Sequence, residues 1–456
     1  MSRRFAGWAI RVAGVAATAA VPAIVPAQAA ATPERCVLQF ESSEASGARS
    51  TLNKLPSGQY NAYQGGGVTY SCIGQNNTLK ADSAEYYGDL GVLYLIGNVH
   101  YTEPRAKVDS RRMTYWKNEE RLLAEGDVVS TLPSGTTLRG PRAEYYRAIP
   151  NVRPRTKLIA NGRPTISLVQ VDSSGKKQPP VDVRADRVTM EADSLVYAAG
   201  SVDIVRPDLH ATGDSAFMDS GSELARLMRG PVIEGKSERP FTLSGTTIDV
   251  HSRARQLERV VSLGNAKAVS QDLDLRADTI DLRVTENKLE RAYAWGASGA
   301  RAVSPTQLIT ADSLDVRLPA QRIRQVFAIR HAWAQTDPDS TKIRSKERDW
   351  LRGDTIVAYF DSTAAPGDTS SKPQLVQLIA RGGAQSFYQI AVAGAPINKP
   401  AINYVRGRAI TVALANRQVQ RVSVTEKASG VYIEPVIARV VAPLRSDSTT
   451  ARKKQR

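Results

Sequence analysis

The side chains of this sequence that could perform acid, base or metal chemistry are few. The four histidines are His100, His210, His251 and His331. They are far apart and lack the spacing of metal ligands. Asp278 and Asp281 could in principle form the carboxylate pair of a glycosidase. Both lie inside a repeated pattern, however, which favours a structural corner at Asp278 and an exposed strand position at Asp281. We therefore expect no enzyme activity, no metal and no cofactor.

The N-terminus has the features of an export signal. Three arginines precede an apolar run at 12–25, and Ala27-Gln28-Ala29 is a small-residue cleavage site. The apolar run is shorter than the roughly 20 residues that a spanning helix needs. We expect residues 1–29 to be removed rather than retained as an anchor. The sequence thus predicts a protein that is exported from the cytoplasm.

The cysteines Cys36 and Cys72 lie early in the exported chain. Thiols oxidise in that compartment, so we expect one disulfide between them. Closing this loop would stabilise the fold by about 4 kcal/mol in the chain-entropy model. The bond would tie the N-terminal segment 30–77 to the strands that follow.

The chain is strongly basic, with a formal net charge of +16. Such an excess favours acidic partners. Nucleic acid is not expected, because the chain is exported and shows none of the motifs of nucleic-acid modules. A phosphorylated glycolipid or an anionic membrane surface fits the charge better.

A short pattern recurs about ten times, most clearly at 79–86, 275–282 and 309–316. The residue three before a central Asp is apolar, and so are most residues two and four after it. Period-two alternation of this kind predicts strands with one buried face. The weaker copies are centred on Asp109, Pro141, Asp186, Asp214, Thr246, Asp354 and Arg408.

The alternation changes parity at each centre, which predicts a corner or bulge there. Basic residues such as Arg276 and Arg352 precede the corners and should face solvent. A glycine follows each corner after a further strand, and we expect it to form a turn that ends the strand. These glycines are Gly97, Gly126, Gly162, Gly200, Gly230, Gly264, Gly296 and Gly382.

Strands with such a corner, followed by a strand ending in Gly-x-Val, resemble the OstA-like family of the lipopolysaccharide transport system. The closest stretch is Leu79 to Tyr146, with Gly97-Asn98-Val99 and Gly126-Asp127-Val128. The resemblance implies an all-β, elongated, twisted β-jellyroll (β-taco) of about ten two-strand units. It also implies a location in the periplasm, with outer-membrane association left open. The family's apolar groove implies binding of the acyl chains of lipopolysaccharide or a similar acidic glycolipid. We expect a groove about 50 Å long, with one strand per repeat in each sheet.

The inward slots of the pattern are the expected lipid contacts. They are Ala84, Tyr86, Leu93, Leu95, Val188, Met190, Ile248, Val250, Ile280, Leu282, Leu314 and Val316. The same residues could instead fill the closed core of a non-catalytic envelope scaffold. A polysaccharide-active enzyme on a β-solenoid is a third hypothesis. In the first two cases, open sheet edges could pair with other OstA-like jellyroll proteins by strand addition.

The expected organisation follows from these patterns. The segments are a signal peptide at 1–29, the disulfide-linked segment at 30–77, the best-matching repeats at 78–172, further repeats at 181–363, terminal repeats at 374–435 and a disordered basic tail at 436–456. The stretches 173–180 and 364–373 are expected to be loops.

Overall fold

Period-two alternation produces strands along almost the whole described chain. The computed structural model describes residues 36–436 apart from gaps at 43–48, 150, 172–176, 193, 208, 237–239, 254–255, 271–272, 287, 362–372 and 416–417. The predicted signal peptide, and all but the first residue of the predicted basic tail, lie outside the described residues. Within them the chain forms 28 antiparallel strands and one 3₁₀ turn, Pro319–Gln321. The prediction of an all-β, elongated jellyroll is confirmed.

The strand bounds follow chain order. The first fourteen are β1 Leu38–Ser42, β2 Arg49–Lys54, β3 Tyr60–Cys72, β4 Thr78–Tyr87, β5 Val92–Glu103, β6 Ala106–Trp116, β7 Arg121–Thr131, β8 Thr137–Tyr146, β9 Lys157–Asn161, β10 Thr165–Val171, β11 Lys177–Arg184, β12 Arg187–Glu191, β13 Leu195–Val205 and β14 Leu209–Asp219. The others are β15 Leu224–Met228, β16 Val232–Gly235, β17 Phe241–Ser244, β18 Thr247–Arg253, β19 Gln256–Ser270, β20 Asp274–Thr285, β21 Lys288–Val303, β22 Gln307–Arg317, β23 Gln325–Thr336, β24 Asp349–Asp361, β25 Gln374–Ile390, β26 Ala401–Ala415, β27 Gln418–Thr425 and β28 Ser429–Ile433.

The long strands bend near their middle and run through two facing sheets. The pairing of β4 with β5 skips from Lys80 to Ser83, and equivalent skips recur along the ladder. We call the two sheets wall A and wall B. Wall A contains 68–72, 78–81 and 99–103 with the equivalent later segments. Wall B contains 60–65, 83–87 and 92–96 with theirs.

This arrangement corrects the expected length of the molecule. Sixteen of the 28 strands cross both walls and twelve stay in one, which gives each wall 22 strand segments. Each repeat therefore supplies two segments to a wall instead of one. At 4.8 Å per strand, a wall is about 100 Å long rather than about 50 Å.

Six of the eight glycines lie at bends inside strands, which corrects the prediction that they end strands, whereas Gly162 and Gly230 do follow the ends of β9 and β15. Gly97 and Asn98 have φ values of 79° and 45° in the middle of β5. The bend of β5 lies beside that of β4, and a Cβ added at Gly97 would collide with the carboxylate of Asp82. Glycine is required here both for its φ and for this close approach. The stacked bends form a spine along which the two walls are joined.

The second copy of the repeat is centred on Arg111, not on Asp109. The pairing of β6 with β7 skips from Asp109 to Arg112. A Cβ added at Gly126 would lie 3.0 Å from the Cβ of Arg111, so Arg111 occupies the place that Asp82 has in the first copy. Alignment by residue type placed the centre two positions too early.

The segment predicted as a loop at 173–180 is strand from Lys177 onward. Its backbone pairs with β10, and the register shifts between Leu168 and Gln170, opposite the two prolines of β11. Only the end of β11, Asp182–Arg184, also pairs with β13. Prolines are tolerated at such a one-sided, bulged edge because no ladder donor is lost.

The space between the walls is filled by one contiguous cluster of buried apolar side chains, from Cys36 to Val412. In its C-terminal part, β21 and β23 contribute mainly alanines to this interior. The neighbouring strands β20, β22 and β24 contribute larger side chains such as Ile280, Leu314 and Leu351. Alternation of large and small residues lets facing layers interdigitate.

Candidate functional site

The twelve residues predicted to contact lipid all face the interior. Ten of them are at most 7% exposed, and half-buried Tyr86 and Val250 pack against the same cluster. All twelve belong to wall B, because each follows a bend of the type at Asp82 or precedes one of the type at Gly97. Whether they contact lipid stays a prediction.

Wall A supplies the opposite half of the interior, which the sequence analysis did not include among the contacts. The sequence did indicate these inward positions, because the residue three before each repeat centre was apolar. These inward residues of wall A include Leu79, Tyr101, Leu138, Ile166, Leu243, Leu275 and Leu351.

The two walls are in contact in this structure. The ring of Tyr101 in wall A lies 6.5 Å, centroid to centroid, from that of Tyr145 in wall B. Beside them is a cavity of about 10 Å³ between Val108 and Leu158, and a second of about 20 Å³ lies towards Arg105. Each has room for about one water molecule. The interior therefore accommodates an acyl chain only if the walls separate.

Polar side chains join the rims of the two walls near these cavities. Arg147, which follows β8, donates a 2.8 Å hydrogen bond to Glu120 at the rim of wall B. Its Nε lies 3.6 Å from Glu103 at the rim of wall A. Its other terminal nitrogen donates to Gln75, also on the wall A side, at 2.6 Å. Arg147 thus bridges the open side of the interior.

Three tyrosines complete this group. Tyr115 donates to Glu120 at 3.0 Å, and Tyr101 donates to Glu103 at 2.7 Å. Tyr145 donates to Glu103 at 2.5 Å from the opposite wall. We call Tyr101, Glu103, Tyr115, Glu120, Tyr145 and Arg147 the Arg147 cluster.

Arg147 is the one cation of the Arg147 cluster and contacts both of its carboxylates. Burial by itself lowers the pKa of Arg147, but Tyr101, Glu120 and their neighbours raise it above its usual value. Burial and the nearby carboxylates raise the pKa values of the tyrosines, so their hydroxyls stay protonated donors. A fully bonded network of this kind is stable, but it becomes costly when one member is removed. The sequence analysis missed this cluster, because the repeat predicts Tyr145 as an inward position but does not show that it meets Glu103 of the opposite wall.

The disulfide lies beside the cluster. The sulfurs of Cys36 and Cys72 are bonded, with Cα atoms 5.0 Å apart. The backbone N–H of Cys36 donates to Glu120 at 2.6 Å. Strand β1 pairs with β3 in wall A, so this bond also links the two walls.

The side chains considered for catalysis do not converge. Asp278 lies at a bend and accepts a bond from Ser298, which lowers the pKa of the carboxyl. Asp281 is 4% exposed, which corrects its assignment as an exposed residue. It is covered by Arg259, which donates two bonds of 3.0 and 2.9 Å, and by Arg283. These contacts give Asp281 a structural role.

Three of the histidines contact an aspartate, as His100 does with Asp109 at 2.7 Å. In the described part of the chain, no three His, Cys, Asp or Glu side chains group as a metal site. No helix among the described residues is long and apolar enough to cross a membrane.

Polar side chains also lie at the wall A rim of the C-terminal part. Asp349 accepts hydrogen bonds from the main chain and side chain of Gln389 at 2.9 and 3.3 Å. Burial raises the pKa of Asp349 to about 6. Within the described residues, the hydroxyls of Ser386 and Tyr388 are buried without a hydrogen-bond partner.

Comparisons with known proteins give little beyond this geometry. No protein-family model matches the chain, and no curated protein matches it. Among solved structures, the chain is similar to LptH of Pseudomonas aeruginosa, the LptA-homologous periplasmic component of the lipopolysaccharide transport device. The identity is 20%, the match covers 27% of this chain and 94% of that one, and the TM-score is 0.23. A likeness at that level supports no inference about function.

Proposed function

We propose that this chain is a non-enzymatic periplasmic carrier that holds the acyl chains of lipopolysaccharide, or of a similar acidic glycolipid, between its walls on the way to the outer membrane. One observation carries the proposal. The apolar interior is continuous along the molecule, and the strand ladders pair wall A segments only with wall A and wall B segments only with wall B. The walls can therefore separate about the spine without loss of ladder hydrogen bonds.

The energy of opening is compatible with acyl binding. Separation removes apolar contacts between the walls, and an inserted acyl chain replaces them with apolar contacts of its own. Each buried CH₂ group contributes about 0.8 kcal/mol. A chain of about twelve carbons thus contributes about 10 kcal/mol, which offsets wall separation over its own length. The polar bonds of the Arg147 cluster are the additional cost near the N-terminal end.

The ends of the ladder suit assembly with other OstA-like jellyrolls. The pair β1 and β2 terminates one end, and β27 and β28 terminate the other. Strand β28 exposes Val431, Tyr432 and Ile433, each more than half exposed. Unpaired strand edges with apolar side chains can accept a further strand.

A closed envelope scaffold is the second candidate function. The packed interior favours it, because Ile280 and Leu314 are fully buried among other side chains of the protein. Such a protein would bind partners through the same sheet edges and would never admit lipid between its walls.

Photo-crosslinking in intact envelopes distinguishes the two. A photoreactive residue replaces Ile280, which faces the interior at 0% exposure, or Ile329, which faces outward from wall B at 36% exposure. A carrier gives lipopolysaccharide adducts at position 280 and none at 329. Absence of adducts at 280 in a folded protein favours the scaffold, and adducts at both positions indicate surface association only.

A further inference from the structure

The outward side of wall A carries a row of cations across its C-terminal strands. Lys267 of β19 pairs with Arg276 of β20, which pairs with Arg301 of β21. The row continues through Thr310 to Trp333, then Arg352, Gln385 and Arg406. We call Lys267, Arg276, Arg301, Trp333, Arg352 and Arg406 the basic-aromatic face. It crosses eight strands, or about 34 Å.

Within the fold these charges are poorly compensated. Like charges directly opposite each other destabilise a sheet. Asp274 accepts two bonds from Arg276 and lies 3.9 Å from Lys267. No carboxylate of the described residues lies within ion-pair distance of Arg301, Arg352 or Arg406; Arg352 donates to Gln385 and Arg406 to Ser429.

On the outward side of wall B, three arginines each hold an aspartate with two short bonds. The pairs are Arg226 with Asp249, Arg259 with Asp281 and Arg291 with Asp315. These aspartates are less than 10% exposed. These three arginines of wall B therefore serve the fold, whereas Arg301, Arg352 and Arg406 of the basic-aromatic face remain available to an external anion.

Aromatic rings accompany the cations on the same side of wall A. Trp333 is 45% exposed. Trp350 stacks on Phe387 at 6.2 Å and meets Tyr404 edge-on at 6.1 Å, with the guanidinium of Arg352 at 5.8 Å. Tryptophan and tyrosine favour the boundary between water and lipid. Arginine near that boundary is attracted by anionic headgroups.

We propose that the basic-aromatic face docks the protein on an anionic phospholipid surface. The arginines bind headgroup phosphates, and Trp333 inserts at the interface. A strip of cations on one side of a sheet matches a plane of phosphates, and the aromatic rings match the adjoining apolar layer. This docking does not depend on what lies between the walls, so it holds for a carrier and a scaffold alike.

The test is vesicle binding by the exported chain. Vesicles of phosphatidylcholine, with and without phosphatidylglycerol, are titrated with wild type and with R301Q/R352Q/R406Q. The matched control is R112Q/R187Q/R381Q, which removes the same charge from exposed outward positions of wall B. We expect binding only to the anionic vesicles, and weaker binding at high salt. If each arginine strengthens binding by about five-fold, R301Q/R352Q/R406Q should bind the anionic vesicles about a hundred-fold more weakly than wild type. The control variant should lose much less affinity.

Quenching by brominated lipid gives a second readout. Tryptophan fluorescence should be quenched on anionic vesicles, and W333F should lose much of that quenching. Equal loss of affinity in both triple variants would reduce the effect to net charge and overturn the proposal. Absence of binding to anionic vesicles would overturn it too, as would tight binding to a nucleic acid in place of vesicles.

Discussion

Tyr145 of wall B donates a 2.5 Å hydrogen bond to Glu103 of wall A, so the two walls are joined by polar contacts at their open side as well as at the spine. Arg147 strengthens this link by contacting Glu103 and Glu120 together. The molecule is a stack in which each strand contacts mainly its neighbours, so loss of such a link acts locally. Near the N-terminal end, the Arg147 cluster therefore controls how readily the walls separate.

Replacement of Arg147 by Met should destabilise this part of the molecule by about 3–5 kcal/mol, because Glu120, 2% exposed, would lose its cation. Tyr145→Phe should cost about 1–2 kcal/mol, since Glu103 keeps its bond from Tyr101. Hydrogen exchange of β5 to β8 measures both effects. Unchanged protection in Arg147→Met would show that the cluster does not hold the walls together.

Gly97→Ala should lower the local free energy of unfolding by more than Gly58→Ala does. Both glycines have positive φ, 79° and 85°, so both substitutions introduce the same backbone strain. A Cβ at position 58 meets nothing within 4 Å, whereas one at position 97 collides with Asp82. We expect about 1 kcal/mol for Gly58→Ala and at least 1 kcal/mol more for Gly97→Ala.

Local hydrogen exchange around each site provides the measurement for the two glycine variants. Equal losses would mean that the spine tolerates a side chain between stacked bends. Partial rescue of Gly97→Ala by Asp82→Ala would confirm the source of the collision.

The sequence predicted which residues face inward but not how the strands are arranged. Period-two patterns report the face of a strand, so Ile280 and Leu314 were placed correctly. They do not report whether a strand ends or bends, and Gly97 was read as a turn although β5 continues through it. Asp281 was taken as exposed because parity shows that it faces outward. Arg259, which covers the Asp281 carboxylate, lies on the adjacent strand, so the sequence around Asp281 does not indicate that the carboxylate is buried.

The Arg147 cluster shows a second limit. Glu120 and Arg147 lie between strands, whereas the three tyrosines lie within strands, and these residues meet only because the two walls face each other. Pairing across walls depends on the bend angle, which no spacing in the sequence encodes. The disulfide between Cys36 and Cys72 could be predicted, because the chain has two cysteines and was expected to be exported to a compartment where thiols oxidise.

Removal of the disulfide by Cys36→Ser with Cys72→Ser should weaken the N-terminal end by about 4 kcal/mol, from the loop of 36 residues that it closes. Strand β1 should lose protection first, because its backbone ladder reaches β3 alone. Hydrogen exchange of Leu38–Ser42 measures this, with Ala401–Ala415 at the other end as the internal reference. Equal loss at both ends would mean that the molecule unfolds as one unit.

Stability of the C-terminal part should depend on pH through Asp349. Its pKa is raised by burial from 3.8 to about 6 in the folded chain, so folding favours the protonated form. The stabilisation is fully present below about pH 4 and is lost as pH rises through 6. A shift of this size corresponds to about 3 kcal/mol.

Asp349→Asn keeps an oxygen acceptor for Gln389 and carries no charge, so the variant should gain stability over wild type as pH rises from 4 to 8. Hydrogen exchange of β24 and β25, compared at matched intrinsic rates, measures the difference. A difference between the two proteins that stays constant with pH would show that Asp349 does not titrate in this range.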